Sequence, residues 1–210
     1  MSRLKKALNN GTTFAFVSGL VFFLKSLNIV EYFKKVSVCW FKKSDKRGRI
    51  LRYRRAIDVF IFLKWSFVFL LWLFGLSSMV LSIIVAYFIF MNLFTYFYYH
   101  VWQPPFNNAR EDVKRRFVSL FQAIAYSIFS YAYLYALPLK ERFSWTSKGD
   151  LNIDAILYSV NNSFIADYSF VAPKDSFASL ISSSQIVAMF IFLTIILSNS
   201  LPGDGGGEDS

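Results

Sequence analysis

Residues Asp154–Ile186 read DAILYSVNNSFIADYSFVAPKDSFASLISSSQI, and their reading decides how the rest of the chain is organised. The stretch opens on an apolar run, Ala155–Val160, far shorter than the roughly 20 residues that cross a bilayer. Asn152 and Asp154 stand before it as a capping pair for a short helix. A partly polar segment, NNSFIADYSF, follows. The chain then returns as a long apolar element from Ser176, whose first half is SFASLISSSQ and whose second half, IVAMFIFLTIIL, is fit to face lipid. Irregular backbone at membrane depth is tolerated only where protein or water surrounds it. The pattern therefore predicts a half-helix that enters from one side, a loop near the midplane, and a full span leading away.

The serine-rich half carries the second expectation. Ser179, Ser182, Ser183, Ser184 and Gln185 would be poorly satisfied against hydrocarbon. Ser182, Ser183, Ser184 and Gln185 are the candidates for lining a pore or a subunit interface. Close helix packing through small residues is the other reading of the same stretch. Both bury this face, and both favour an oligomer.

Three further segments are long and apolar enough to span: Asp58–Leu76, Ser78–Tyr99 and Phe117–Leu137. With Ser176–Ser198 they make four. They sit in a chain of 210 residues that is 55% hydrophobic and 20% aromatic, a composition that points to a membrane protein. Thr12–Leu24 is apolar for about a dozen residues only. It follows Arg3, Lys5 and Lys6 as a secretory leader would, but the chain continues KSLNIVEYFKK without a small-residue cleavage site. An uncleaved interfacial or re-entrant helix and a fifth span remain the two readings.

Basic residues set the orientation, because cytoplasmic loops carry the excess of Lys and Arg. Between Lys34 and Arg55 there are ten basic residues against Asp45 alone. The loop QPPFNNAREDVKRR carries Arg110, Lys114, Arg115 and Arg116. Both then lie inside, with a tight outer turn at Gly75–Ser78 between the first two spans and both termini in the cytoplasm. Pro104 and Pro105 end the second span, and Tyr96–Tyr99 and Trp102 form its interfacial aromatic belt. The expected division is 1–57, an interfacial helix and basic segment; 58–101, a transmembrane hairpin; 102–116, a basic loop; 117–199, the half-helix module; and 200–210, a flexible acidic tail.

The patch Lys42, Lys43, Lys46, Arg47, Arg49, Arg52, Arg54 and Arg55 is expected to meet anionic membrane lipid, at about 1 kcal/mol per basic residue. A docking face for a cytoplasmic protein partner is the sharper alternative, and no nucleic-acid fold accompanies it. Lys64 lies inside the first span, where a charge marks a functional site by default, although its stem is also placed to snorkel. Enzyme chemistry has no support. Cys39 is single, His100 is single and sits among tyrosines, and no nucleophile–base pair, metal-ligand cluster or cofactor motif is present.

Taken residue by residue, the stretch resembles the pore loop and inner helix of the tetrameric potassium-channel superfamily. The match runs through Ala155, Tyr158, Ser159, Val160, Tyr168, Val171, Pro173, Phe177, Leu180, Ile181, Ser183 and Gln185 without a gap. It covers about a third of the chain if Phe117–Leu137 is the outer helix. The resemblance implies an all-α membrane protein of four transmembrane helices, with a re-entrant pore helix and loop between the last two, assembled as a channel-like homotetramer. The selectivity sequence of the family, Thr-Val-Gly-Tyr-Gly, falls on Ile165, Ala166, Asp167, Tyr168 and Ser169, and only the tyrosine is shared. Without the threonine hydroxyl and the two glycines that free the backbone, stringent potassium selectivity is not expected. Met189 falls near the place of the family's inner-helix glycine hinge.

Two functions follow as expectations. A ring of Asp167 from four subunits would favour cations and make a weakly selective pore; Asp167 capping its own turn in the outer solvent is the plainer role. The other function is a non-conducting sensor or scaffold that recruits a cytoplasmic effector. The four-span plan is also similar to the membrane component of the Kiwa antiviral system, which implies a bacterial inner-membrane location and a role in antiviral defence.

Overall fold

The computed structural model describes residues 11–39, 46–102 and 110–200, with side chains at 11–33, 35–36, 55–99, 101–102 and 117–195. The chain is mostly helical, at 79%, and divides into two compact units, 1–66 and 67–210. Lys42 and Lys43 of the basic patch and the acidic tail lie outside the described residues, as do the side chains of Lys46, Arg47, Arg49, Arg52 and Arg54. Arg55 is described and is exposed.

In the first unit, helix α1 spans Thr12–Ser26 and helix α2 Ile29–Cys39. At 15 residues α1 is about 22 Å long, short of the roughly 30 Å hydrocarbon layer. Asn28 separates the two helices. It is almost fully buried, and its Oδ1 accepts from Val30 N at 3.0 Å, capping α2. Helix α3, Lys46–Leu73, carries Phe60 against Phe33 of α2 with ring centroids 5.7 Å apart. Lys64 on α3 is buried.

The unit boundary falls within α3, after Ser66. In the second unit α3 ends at Leu73, three residues before the end of the apolar run, for a definable reason. Gly75 adopts φ 61°, and the hydrogen bonds Leu76 N to Leu71 O, 2.9 Å, and Gly75 N to Trp72 O, 3.1 Å, complete a Schellman turn. Ser78 then caps helix α4, Met79–Phe97, by accepting from Leu81 N at 3.2 Å. A π-helical turn, Tyr98–Trp102, extends it.

Helix α5, Arg110–Ala136, is the central element of this unit. Its face toward α4 is held by Asn92, whose Nδ2 donates to Ala123 O at 2.9 Å and Ser127 Oγ at 3.2 Å. Tyr96 OH donates to Ser119 O at 2.6 Å. Leu120, Ala123, Met189, Phe192 and Ile195 form the apolar core between α5 and the last helix. That last helix is α7, Ser176–Ser200. Among the described residues, four stretches are thus long and apolar enough to cross a membrane: Arg55–Leu73 of α3, Met79–Phe97 of α4, Phe117–Ala136 of α5 and Ser176–Ile195 of α7. They match the four sequence segments to within a few residues, and they identify a membrane protein.

Between α5 and α7 lie a single 3₁₀ turn, Lys140–Arg142, strand β1, Phe143–Trp145, helix α6, Leu151–Ser163, and strand β2, Val171–Pro173. The strands pair antiparallel with Phe143 opposite Pro173 and Trp145 opposite Val171. This pair is an addition to the expected all-helical plan. Three-residue strands joined across some thirty residues leave no periodic signal in the chain. Its consequence is geometric: the segment containing α6 begins and ends at the same place.

Candidate functional site

The site is built where α6 lies between α5 and α7. Helix α6 is 13 residues, about 20 Å. Its cap is Asp150, whose Oδ1 accepts from Asn152 N at 2.7 Å. Asn152 and Asp154, read from sequence as the capping pair, have other partners. Asn152 Oδ1 accepts from Trp72 Nε1 at 2.8 Å. Asp154, in the first turn and buried, accepts from Tyr168 OH at 2.8 Å. The carboxylate sits where the helix dipole favours it, and its bond ties the loop after α6 back to the start of α6.

Gln185 of α7 is the centre of the arrangement, with 0% of its surface exposed. Its Nε2 donates to Ser159 O at 2.9 Å, Ser159 Oγ at 2.7 Å and Ser163 Oγ at 2.8 Å. Its Oε1 accepts from Tyr135 OH at 2.7 Å and Asn162 Nδ2 at 2.9 Å. Every donor and acceptor site of the amide is used. Around it, Asn162 Nδ2 also donates to Ser182 O at 3.0 Å, and Tyr158 OH meets Ser182 Oγ at 2.9 Å. Ser159 Oγ donates to Ile128 O at 2.7 Å, which adds α5 to the network. Tyr131 of α5 meets Ser184 Oγ at 3.0 Å. An outer aromatic layer of Tyr135, Phe143 and Tyr158, with centroids 5.0 to 5.8 Å apart, packs beside these polar groups.

The serine-rich quartet of α7 is therefore split by the fold. Ser182 and Gln185 turn into this network inside one chain. Ser184 is half-buried, and Ser183 is exposed beside Leu180 and Val187. Sequence inspection singled out these four but missed their partners Tyr131, Tyr135, Tyr158, Ser159, Asn162 and Ser163. A signal was present: polar residues recur at intervals of three or four on each of the three helices.

The segment aligned with the selectivity sequence follows directly. Phe164 closes α6. Ile165 N bonds to Asn162 O at 3.2 Å and Ala166 N to Asn161 O at 2.9 Å, a second Schellman turn. Here the left-handed position is filled by Ile165, φ 57°, which is also 75% exposed. A β-branched residue in that region is a true outlier, costing about 1–2 kcal/mol. Ala166, Asp167 and Ser169 are exposed, and Tyr168 is half-buried through its bond to Asp154. Phe164 and Phe170 are exposed on either side. The loop closes where Thr146 N bonds to Phe170 O at 2.9 Å, next to the β1–β2 pair.

Arg142 and Asp175 fasten the outer end. Arg142 Nη1 donates to Asp175 Oδ2 at 2.7 Å, and its guanidinium lies 5.0 Å from the Phe177 ring centroid. Asp175 also caps α7 by accepting from Ala178 N at 2.7 Å. That backbone bond, and after it Arg142, hold the Asp175 carboxyl below the usual carboxylate range.

Comparison with other proteins adds no constraint to this geometry. No protein family, curated protein or solved structure matches the chain. Among the described residues, no group of three or more His, Cys, Asp or Glu side chains converges as a metal site.

Proposed function

We propose that this is a channel-like membrane protein in which α6 is a re-entrant half-helix, and that an oligomer, a homotetramer by the resemblance of its pore segment, passes cations with weak selectivity. The observation that carries the reading is the closed path from β1 through α6 and the loop to β2. A helix of about 20 Å that cannot span leaves one end of α5 and returns to the start of α7. Its polar groups meet Gln185 and Ser182 of α7 and the Ile128 carbonyl of α5 instead of hydrocarbon, as a helix end and loop at membrane depth require.

In this reading the half-helix directs its C-terminal carbonyls, negative by the helix dipole, toward the loop. Asp167, exposed on the loop, supplies the charge ring. The Gln185 network and the Tyr168–Asp154 bond hold the loop to its supports. Ile165, Asp167 and Ser169 replace the residues that strict potassium selection needs, so selection by charge replaces selection by a carbonyl cage. The test is flux of potassium, sodium and chloride from liposomes holding the purified oligomer, wild type against Asp167→Asn. Cation flux that falls or loses its preference in the variant supports the reading. Chloride flux equal to cation flux in the wild type overturns it.

A second reading is favoured by the apolar tip of the same loop. Phe164, Ile165 and Phe170 are all exposed, and four such tips meeting on an axis would close it. The protein would then be a membrane sensor or scaffold that recruits a cytoplasmic effector through its basic segment, with antiviral defence as the setting implied by the four-span plan. Absence of flux from correctly assembled oligomers, with a stable effector recovered from native membranes, decides for this reading.

A further inference from the structure

A cavity of about 390 Å³ lies in the second unit, away from the Gln185 network, between the start of α4, the end of α5 and the start of α7. Its walls change character along their length. Ser77, Ser78, Ser82 and Arg142 supply its polar groups, at the start of α4 and just after α5, with Met79, Pro138 and Phe177 among them, and Ile83, Ala86, Leu134 and Ile181 continue the wall along the helices. From Ser78 to Ala86 the wall runs about 12 Å along α4 at 1.5 Å per residue. Ile83 and Ala86 are exposed, so the cavity opens sideways on the surface of α4. That surface belongs to a stretch apolar enough to lie in the membrane. A sideways opening at this depth admits lipid, and water has no reason to fill an apolar trough.

The polar end has the chemistry of a phosphate site. The first amides of α4, Met79 and Val80, have no carbonyl of their own helix to bond, and a helix start favours an anion. Arg142 uses one guanidinium donor on Asp175, which leaves others of its five, and the group lies over the Phe177 ring, 5.0 Å from its centroid. Arg142 is largely neutralised by Asp175, so the mouth suits the single phosphodiester common to glycerophospholipids more than a multiply charged headgroup.

We infer that this cavity holds one membrane glycerophospholipid per chain, with an acyl chain along Ile83 and Ala86 and its phosphate at Arg142 and the start of α4. The inference does not depend on whether the loop conducts. The full chain, purified and delipidated in detergent, is given dioleoyl phosphatidylglycerol and examined by native mass spectrometry, with oleate and inorganic phosphate as separate probes. The wild type should retain one phospholipid per chain and neither oleate nor phosphate alone. Ala86→Trp, which fills the apolar end, should abolish retention. Arg142→Gln should weaken it about ten-fold or more, as loss of a charge-assisted hydrogen bond does. Asp175→Asn breaks the same ion pair but keeps Arg142 and a competent cap, and should retain the lipid. Equal retention by wild type and Ala86→Trp, loss in Asp175→Asn as large as in Arg142→Gln, or tight binding of oleate in place of phospholipid overturns the inference. So does a cross-link from Ala86→Cys to a second copy of the chain that fills the cavity in lipid-free protein.

Discussion

Replacing Gln185 by leucine removes five hydrogen bonds between 2.7 and 2.9 Å while nearly preserving side-chain volume. The damage is uneven. Asn162 keeps Ser182 O, Ser159 Oγ keeps Ile128 O, and Ser163 Oγ keeps Ser159 O as acceptors. Tyr135 OH loses the acceptor the structure gives it, at a site where the ring is fully buried. Interhelical hydrogen bonds in membrane proteins average about 0.6 kcal/mol each, and because two N–H groups are shared among three acceptors the contacts amount to about four full bonds, or about 2 kcal/mol. Orphaning one buried hydroxyl costs ~1–3 kcal/mol by itself. Gln185→Leu should therefore destabilise the fold by about 2–3 kcal/mol. Adding Tyr135→Phe to it should cost less than Tyr135→Phe costs alone, because the orphaned group is then gone; the cycle should show a coupling of about 1 kcal/mol or more. Equilibrium unfolding of the purified chain in mixed micelles, followed by circular dichroism, measures all four members. A Gln185→Leu variant within about 0.5 kcal/mol of wild type, or additive single and double variants, would refute the claim that this amide locks α6 to α7.

The two Schellman turns make a paired prediction. Ile165→Gly should stabilise the fold by about 1 kcal/mol by relieving the left-handed backbone, whereas Gly75→Ala should cost about 1 kcal/mol. Nothing lies within 4 Å of a Cβ at Gly75, so that cost is conformational alone, and a thermal-melt shift in the same direction for both variants would contradict the assignment. Should Ile165→Gly also change flux, the strain at the loop would bear on function as well as on folding. The Asp175 carboxyl has its folded pKa lowered by the Ala178 amide and Arg142. Its contribution is present above the unfolded value and is lost as pH falls through the lowered folded value. The stability difference between wild type and Asp175→Asn, which keeps the cap, should shrink as pH is lowered from 7 toward about 3; a constant difference across that range would refute the assignment. Asp167→Asn, on an exposed loop without the Tyr168 tether, should leave stability within about 0.5 kcal/mol of wild type, so that any change in flux is read as pore chemistry.

The four spans were legible because hydropathy is a sum over neighbours in sequence, and lipid imposes it on every residue that faces outward. Ala155–Val160 was legible as non-spanning for the same reason: its length alone excluded it. The turn at Gly75–Ser78 was legible, but the span was read through to Leu76, and the helix end at Leu73 and the cap by Ser78 came from the structure. Identities at the start of α6 were not legible either. Asp150, Asn152 and Asp154 are each competent caps in isolation, and the choice of Asp150 rests on Trp72 taking Asn152 and Tyr168 taking Asp154.

Sequence alone marked the SFASLISSSQ half of α7 as the polar part of the last span, whose side chains need hydrogen-bond partners. It did not determine which partners: Ser182 and Gln185 are buried, whereas Ser179 is exposed and bonds back to Asp175 O one turn earlier in its own chain. The tertiary structure decided that Gln185 and Ser182 are met by α5 and α6 of the same chain and that Ser183 is not. It also decided that Phe143 and Pro173 come together to close the loop segment, and that Ile165 occupies a backbone region its side chain disfavours. The physical reason is one of range. Burial cost is a property of the residue, whereas the partner that relieves it is a property of which helices pack together.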